Sequence, residues 1–163
     1  MNRPRILIAG IGNIFLGDDA FGVEVAQRLG RRALPDAVRV VDFGIRGLDL
    51  VYTLLDGYDA VILVDAVPRG GPPEPADLNL FVQMHALDPA KVLRLAAALG
   101  GQVRRLLLVG CEPGAAAEVE DMSMGLSAPV RAAVDEAVSL IESLVTKLLR
   151  EENEAFATSV EER

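Results

Sequence analysis

Residues 5–32 read RILIAGIGNIFLGDDAFGVEVAQRLGRR and contain one complete strand–loop–helix unit. Arg5–Ala9 is a short apolar run that ends at Gly10, without polar alternation, which predicts a strand buried on both faces. From Ala20 to Arg32 the period changes to that of a helix. Phe21, Val25 and Leu29 fall at i, i+4 and i+8, with Gly22, Ala26 and Ala33 beside them. Asp18 and Asp19 stand where an N-cap and a first-turn acid are favoured, and Arg28, Arg31 and Arg32 lie near the end that prefers cations.

The same alternation continues along the chain. Val38–Asp42 (VRVVD) predicts a second strand, a glycine-flanked turn leads to a short helix near Leu48–Leu55, and Ala60–Asp65 (AVILVD) predicts a third strand. Pro68–Pro75 (PRGGPPEP) is a breaker-rich loop through which no helix can run. Leu78–Val82 is expected to be a fourth strand, Asp88-Pro89 to open a helix through Leu99, and Arg105–Val109 (RLLLV) to be a fifth strand. Ser127 is expected to cap a long helix that carries Val130, Val134, Val138, Ile141, Leu144, Val145 and Leu148. Strands separated by helical stretches imply right-handed crossovers and a mainly parallel sheet. The expected fold is therefore α/β: a single-domain three-layer sandwich with a mainly parallel, twisted five-stranded sheet between helices. The domain is expected to span residues 1–150. Residues 151–163 (EENEAFATSVEER) hold five acids and one Arg, so −4 of the net charge, and are expected to form an acidic, disordered tail.

Composition narrows the chemistry. The chain has 163 residues, a net charge of −8, no Trp, one Cys and one His. An acidic balance without a basic cluster argues against nucleic acid. Single Cys and His residues exclude a disulfide scaffold, a Cys-based zinc finger and any site that needs two histidines. Any transition-metal site must therefore be built mostly from carboxylates. No stretch reaches the ~18 consecutive apolar residues of a membrane helix, and no signal-peptide cleavage pattern follows the first strand. A soluble, cytoplasmic protein is the expectation.

In a doubly wound sheet, ligands bind outside the carboxyl ends of the strands, where the strand order reverses. Those ends are Gly10–Asp19, Asp42–Gly47 and Asp65–Arg69, and each carries an acid. Gly10-Ile11-Gly12-Asn13-Ile14-Phe15 partly resembles a dinucleotide-binding loop, with Asp42 where a ribose-binding acid would lie. Phe15 occupies the third glycine position, however, and Asp18 and Asp19 stand at the helix entry that would receive a pyrophosphate. Like charges ~4 Å apart repel by about 1 kcal/mol in water and by more in a partly buried site. In a 2-1-3 strand order, Asp19 and Asp65 converge on one crevice, and His85 follows the fourth strand at another loop. Two carboxylates and an imidazole form an incomplete ligand set for Zn²⁺ or Ni²⁺, open to a ligand from a substrate. Asp19 alone also suits a first-turn helix acid, and a lone His a solvated loop. An acid directly after AVILV has no such local reason.

The series Gly10-Ile11-Gly12-Asn13, Asp18-Asp19 with Gly22, Asp42 with Gly44, Val64-Asp65-Ala66, His85, Gly110 with Pro113, and Gly125-Leu126-Ser127 resembles the hydrogenase maturation endopeptidases. The match runs in order from about residue 5 to 148. The resemblance implies a protease that removes a C-terminal extension from the nickel-iron hydrogenase large-subunit precursor after nickel insertion. It implies that Asp19, Asp65 and His85 contact nickel carried by the substrate and not kept by the enzyme, with zinc or cadmium able to stand in for it in crystals. Asp42 matches the acid of a family motif written Asp-Gly-Gly-Thr. Here the motif reads Asp42-Phe43-Gly44-Ile45, so the hydroxyl is lost.

An open three-ligand site that shares a substrate's nickel makes cleavage conditional on metallation through differential affinity. One His and no nucleophile elbow leave no Ser–His–Asp or Cys–His arrangement. A metal-polarised water or carbonyl, assisted by Asp42 or Asp18 as general base, is the candidate chemistry of a metal-dependent or aspartic-type endopeptidase. Cys111 is expected to be a buried small hydrophobe. Arg46 is either a surface charge or a contact for the substrate's C-terminal peptide. A monomer is expected. The rival readings are a non-catalytic nickel-sensing maturation chaperone and a dinucleotide-binding module.

Overall fold

A computed structural model describes residues 4–67, 89–113 and 125–161. Its elements follow in the order β1 (Ile6–Ile11), a 3₁₀ turn (Gly17–Ala20), α1 (Phe21–Leu29), β2 (Val38–Gly44), α2 (Gly47–Leu55), β3 (Tyr58–Ala66), α3 (Pro89–Ala98), β4 (Val103–Cys111) and α4 (Ala128–Glu161). The described strands form one sheet in the order β2-β1-β3-β4, and every pairing is parallel. The expected strand Leu78–Val82 lies outside the described residues, so the described sheet has four strands and the run Arg105–Val109 belongs to β4.

The period-2 geometry of a strand divides the core into two. Ile6 and Ile8 of β1, with Ala60, Ile62 and Val64 of β3, point to one face, where α1 and α4 cover them through Phe21, Val25, Leu29, Val134, Val138 and Ile141. Leu7, Ala9 and Ile11, with Val61 and Leu63, point to the other face. There Leu50, Val51 and Leu54 of α2 and Val92 and Ala96 of α3 complete the packing. A strand buried on both faces cannot alternate polar with apolar residues, which is why RILIA and AVILV carry no polar side chain inside. Each fully buried Val, Leu or Ile of this kind contributes about 1.5–3 kcal/mol.

Two sequence expectations need correction. Helix α1 begins at Phe21, one residue after Ala20, and neither Asp18 nor Asp19 caps it. Both acids belong to the preceding 3₁₀ turn, and no side chain bonds the cap position. The second correction concerns the acidic end, because α4 continues through residues 151–161 instead of ending near residue 150. Helix-favouring Glu residues meet cations there: Lys147 lies 3.8 Å from Glu151, and Arg150 lies 3.8 Å from Glu154, both at i,i+4. Arg105 of β4 bonds the Glu151 carboxylate and holds it below the usual carboxylate range, while Arg104 reaches Glu152 at 3.4 Å. Two of the acids that suggest a solvated tail in one dimension, Glu151 and Glu152, are thus pinned to the sheet in three.

Candidate active site

The strand order reverses at β1, so β1 and β3 lead into loops that diverge and leave a crevice between them. How closely the β1–α1 loop settles there depends on glycine. A Cβ on Gly12, whose φ is +146°, would lie 1.9 Å from the Asp19 carbonyl oxygen. A Cβ on Gly22 would lie 2.0 Å from the Val64 carbonyl oxygen and 2.3 Å from that of Ile11. No side chain fits at either position, and their absence lets the 3₁₀ turn rest against the end of β3.

Inside the loop, the Asn13 backbone N–H donates to Asp19 Oδ2 at 2.8 Å, and the Phe15 N–H donates to Asn13 Oδ1 at 3.0 Å. The Leu16 and Asp19 amides donate to the carbonyls of Asn13 and Leu16 respectively, each at 3.1 Å. Asp19 is therefore held by one oxygen. Asp65 ends the apolar run of β3, in register with Gly110 of β4. Its carboxyl pKa is raised to about 7, first by burial and second by the negative charge of Asp19, against a smaller lowering by the Ala66 backbone bond. The turn that carries Asp19 lies against β3, close enough for the charge of Asp19 to act on Asp65. Two partly buried acids that repel each other constitute a site short of positive charge.

Asp42 sits on the other side of β1, in register with Gly10, and does not join that pair. Its carboxylate accepts a bond from Gln27 Nε2 at 3.3 Å and lines an open groove of about 350 Å³ between the β1–α1 loop and the β2–α2 turn. Gly12, Phe15, Val23, Phe43 and Ile45 supply apolar lining. The two loops are tied together by the Gly12 N–H, which donates to the Gly44 carbonyl at 3.0 Å. Arg46 braces this turn, donating from Nε to the Phe43 carbonyl at 3.2 Å, from Nη1 to Asp49 at 3.3 Å and from Nη2 to the Asp42 carbonyl.

Asp18, considered above as an assisting acid, is only 3% exposed, and both its oxygens accept bonds from Ser127. That engagement removes it from the role of general base. Cys111 is half-buried, and its thiol donates to the Glu112 carbonyl at 3.6 Å. Burial, followed by the charges of Asp18, Glu112 and Glu136, pushes its pKa up, so it stays a thiol. His85 lies outside the described residues. Among the described residues, no three His, Cys, Asp or Glu side chains are grouped as a metal site. What sequence reasoning missed is the apolar rim. Phe15 is 51% exposed and Ile45 55%, with Ile14 and Leu16 beside Phe15. The available signal was Ile14-Phe15-Leu16, an apolar triplet inside a glycine-rich loop with no strand or helix to bury it.

Carboxylates at the switch point of a doubly wound parallel sheet, flanked by an apolar groove, define an α/β protein whose acids stand where such folds bind their ligands. The comparisons make this particular. The family model described as hydrogenase maturation protease matches residues 23–144, and the chain belongs to that family. It is 37% identical over 151 residues to the hydrogenase expression/formation protein HupM of Azotobacter chroococcum mcd 1, covering 85% of this chain and 70% of that one. It is 32% identical over 149 residues to the hydrogenase 2 maturation protease of Escherichia coli strain K12, covering 84% and 88%. Among solved structures, the E. coli hydrogenase maturating endopeptidase HybD superposes with a TM-score of 0.72 at 30% identity, covering 88% of this chain and 93% of that one.

Proposed function

We propose that this chain cleaves the C-terminal extension from a nickel-iron hydrogenase large-subunit precursor once nickel is in place, with Asp19, Asp65 and His85 meeting the nickel that the precursor carries. Family membership supports the reaction class, and C-terminal processing of the large subunit is the role of that family. The observation that carries the assignment of residues is the Asp19–Asp65 pair, with Asp65 pushed to about 7 by burial and by its neighbour. Near neutral pH Asp65 is poised to exchange its proton for a divalent cation, which relieves both the repulsion and the desolvation. A precursor bearing nickel gains that relief and a nickel-free one does not, so the site discriminates by differential affinity. Nickel here is part of the substrate.

The groove beside Asp42 suits the extended segment that flanks the scissile bond. Its apolar walls take side chains, and Asp42 stands within it as the acid available to accept a proton from an attacking water. The same reading has the protein work as a cytoplasmic monomer. Incubation with nickel-loaded and nickel-free precursor, read by mass, tests the proposal. The expected result is a shortened product only from the loaded form. Binding to loaded precursor without shortening under any metal condition would replace this reading with that of a nickel-sensing chaperone.

A further inference from the structure

Asp18 and Asp19 are adjacent acids with different surroundings. Asp19 faces the switch-point crevice and carries one loop amide. Asp18 turns inward, and its partner is 109 residues away: Ser127 donates its backbone N–H to Asp18 Oδ1 at 2.7 Å and its hydroxyl to Oδ2 at 2.9 Å. Ser127 immediately precedes α4 and accepts that helix's first backbone bond, from the Arg131 N–H at 2.9 Å. The Asp18 carboxylate therefore serves as the capping group of a helix to which it does not belong. Its negative charge lies at the positive end of the helix dipole, and both bonds gain from that charge.

We propose that Asp18 is a positioning residue that clamps the β1–α1 loop to the start of α4 and thereby sets Asp19 opposite Asp65. Three attachments fix the short 3₁₀ turn between Gly17 and Ala20. Gly12 and Gly22 let it settle on β1 and β3, the Asn13 amide fixes Asp19 from within the loop, and the Asp18–Ser127 clamp fixes it from outside. The first two attachments govern how close the turn comes. The clamp adds a tie to α4 across the fold, and its loss lets the turn shift about the glycines. Misplacement by ~1 Å far from the chemistry is enough to cost about 100-fold in rate.

The proposal rests on Asp19 and Asp65 being the working pair, and its test has a readout independent of that. Hydrogen exchange at the Asn13 amide reports whether the loop still holds Asp19, and exchange at Ile8 in the core reports global stability. Asp18→Ala and Ser127→Ala are expected to raise Asn13 exchange at least ~10-fold relative to Ile8, the larger rise coming from Asp18→Ala, which removes both bonds. Processing by Asp18→Ala should fall ~10- to 100-fold. Asp18→Asn keeps one acceptor for the Ser127 N–H and offers its amide to the hydroxyl, so it should restore both readouts to within ~3-fold of the parent.

Unchanged Asn13 exchange in Ser127→Ala and Asp18→Ala overturns the clamp. So does an Asp18→Asn protein that keeps Asn13 protected yet processes no precursor, because the carboxylate would then act chemically. Should Asp18→Ala fail to fold, Ser127→Ala decides the matter alone. A parent protein that processes nothing while Asn13 exchange responds as described refutes the proposed function and leaves the clamp standing.

Discussion

The β1–α1 loop has two flanks, and each holds acids in different circumstances. Toward β3, the charge of Asp19 acts on Asp65 and is second only to burial in raising the Asp65 pKa. Toward β2, Asp42 takes an amide bond from Gln27, lies next to a turn braced by Arg46, and opens on an apolar groove. The first flank is built around charge and the second around shape. The split follows from strand order: β1 neighbours both β2 and β3, so one loop supplies a wall to each. On the proposed function, a substrate held by its metal on one flank and by its chain on the other would cross the loop at Gly12, which carries no side chain.

The sharpest way to break this comparison is to neutralise each flank in turn. Asp19→Asn and Asp65→Asn should lower processing of nickel-loaded precursor by ~1000-fold while far-UV circular dichroism stays at parental values. Asp42→Asn lowers the rate but should preserve the preference for loaded over nickel-free precursor. Loss of that preference in Asp42→Asn, measured by mass of the product, would merge the two flanks into one site.

The glycine contacts that set the first flank are next in size. Gly22→Ala places a Cβ 2.0 Å from the Val64 carbonyl oxygen and 2.3 Å from that of Ile11, both backbone atoms of the central strands. Urea denaturation should show a loss of about 3 kcal/mol. A loss below ~0.5 kcal/mol would mean that the loop yields easily and that its approach to β3 is not enforced.

Much of this first flank is legible in the sequence, because its signals are local. AVILV can only be a buried strand, so the acid directly after it must sit at the strand's carboxyl end, and Asp19 follows from the parallel topology. Asp18 illustrates the opposite. Nothing near it distinguishes it from Asp19, since its partner Ser127 lies 109 residues along the chain. The anchoring of Glu151 and Glu152 to the sheet is hidden for the same reason: Arg104 and Arg105, which hold Glu152 and Glu151, lie 48 and 46 residues earlier. Sequence periodicity predicts which face a residue shares, but a partner across the fold leaves no trace in it.

A smaller effect separates the flanks by pH. Asp65 has an ordinary pKa of 3.8 in an unfolded chain and about 7 in the folded one. Between those values the folded protein retains a proton that the unfolded chain has released, so stability of the metal-free protein rises as pH falls from about 7 toward 4. Because the group is partly open to solvent, the gain should be discounted to ~1–2 kcal/mol. Thermal melting at pH 7.5 and pH 5 should show this gain in the parent and lose it in Asp65→Asn. A gain that persists undiminished in Asp65→Asn would place its origin at another group.

The mildest intervention addresses the second flank. Phe15 and Ile45 are each more than half exposed, so replacing either with Ser removes little packing from the fold. What it removes is apolar surface that a client segment would cover. Burial of one such side chain to a moderate extent is worth roughly 1 kcal/mol, which corresponds to about a fivefold change in binding. Phe15→Ser and Ile45→Ser are therefore expected to raise the KM for nickel-loaded precursor ~5-fold with kcat within twofold of the parent, as uniform binding requires. A fall in kcat at constant KM would show that the groove acts in the transition state. In that case the flank built around shape would also take part in the chemistry, and the division at β1 would be one of position only.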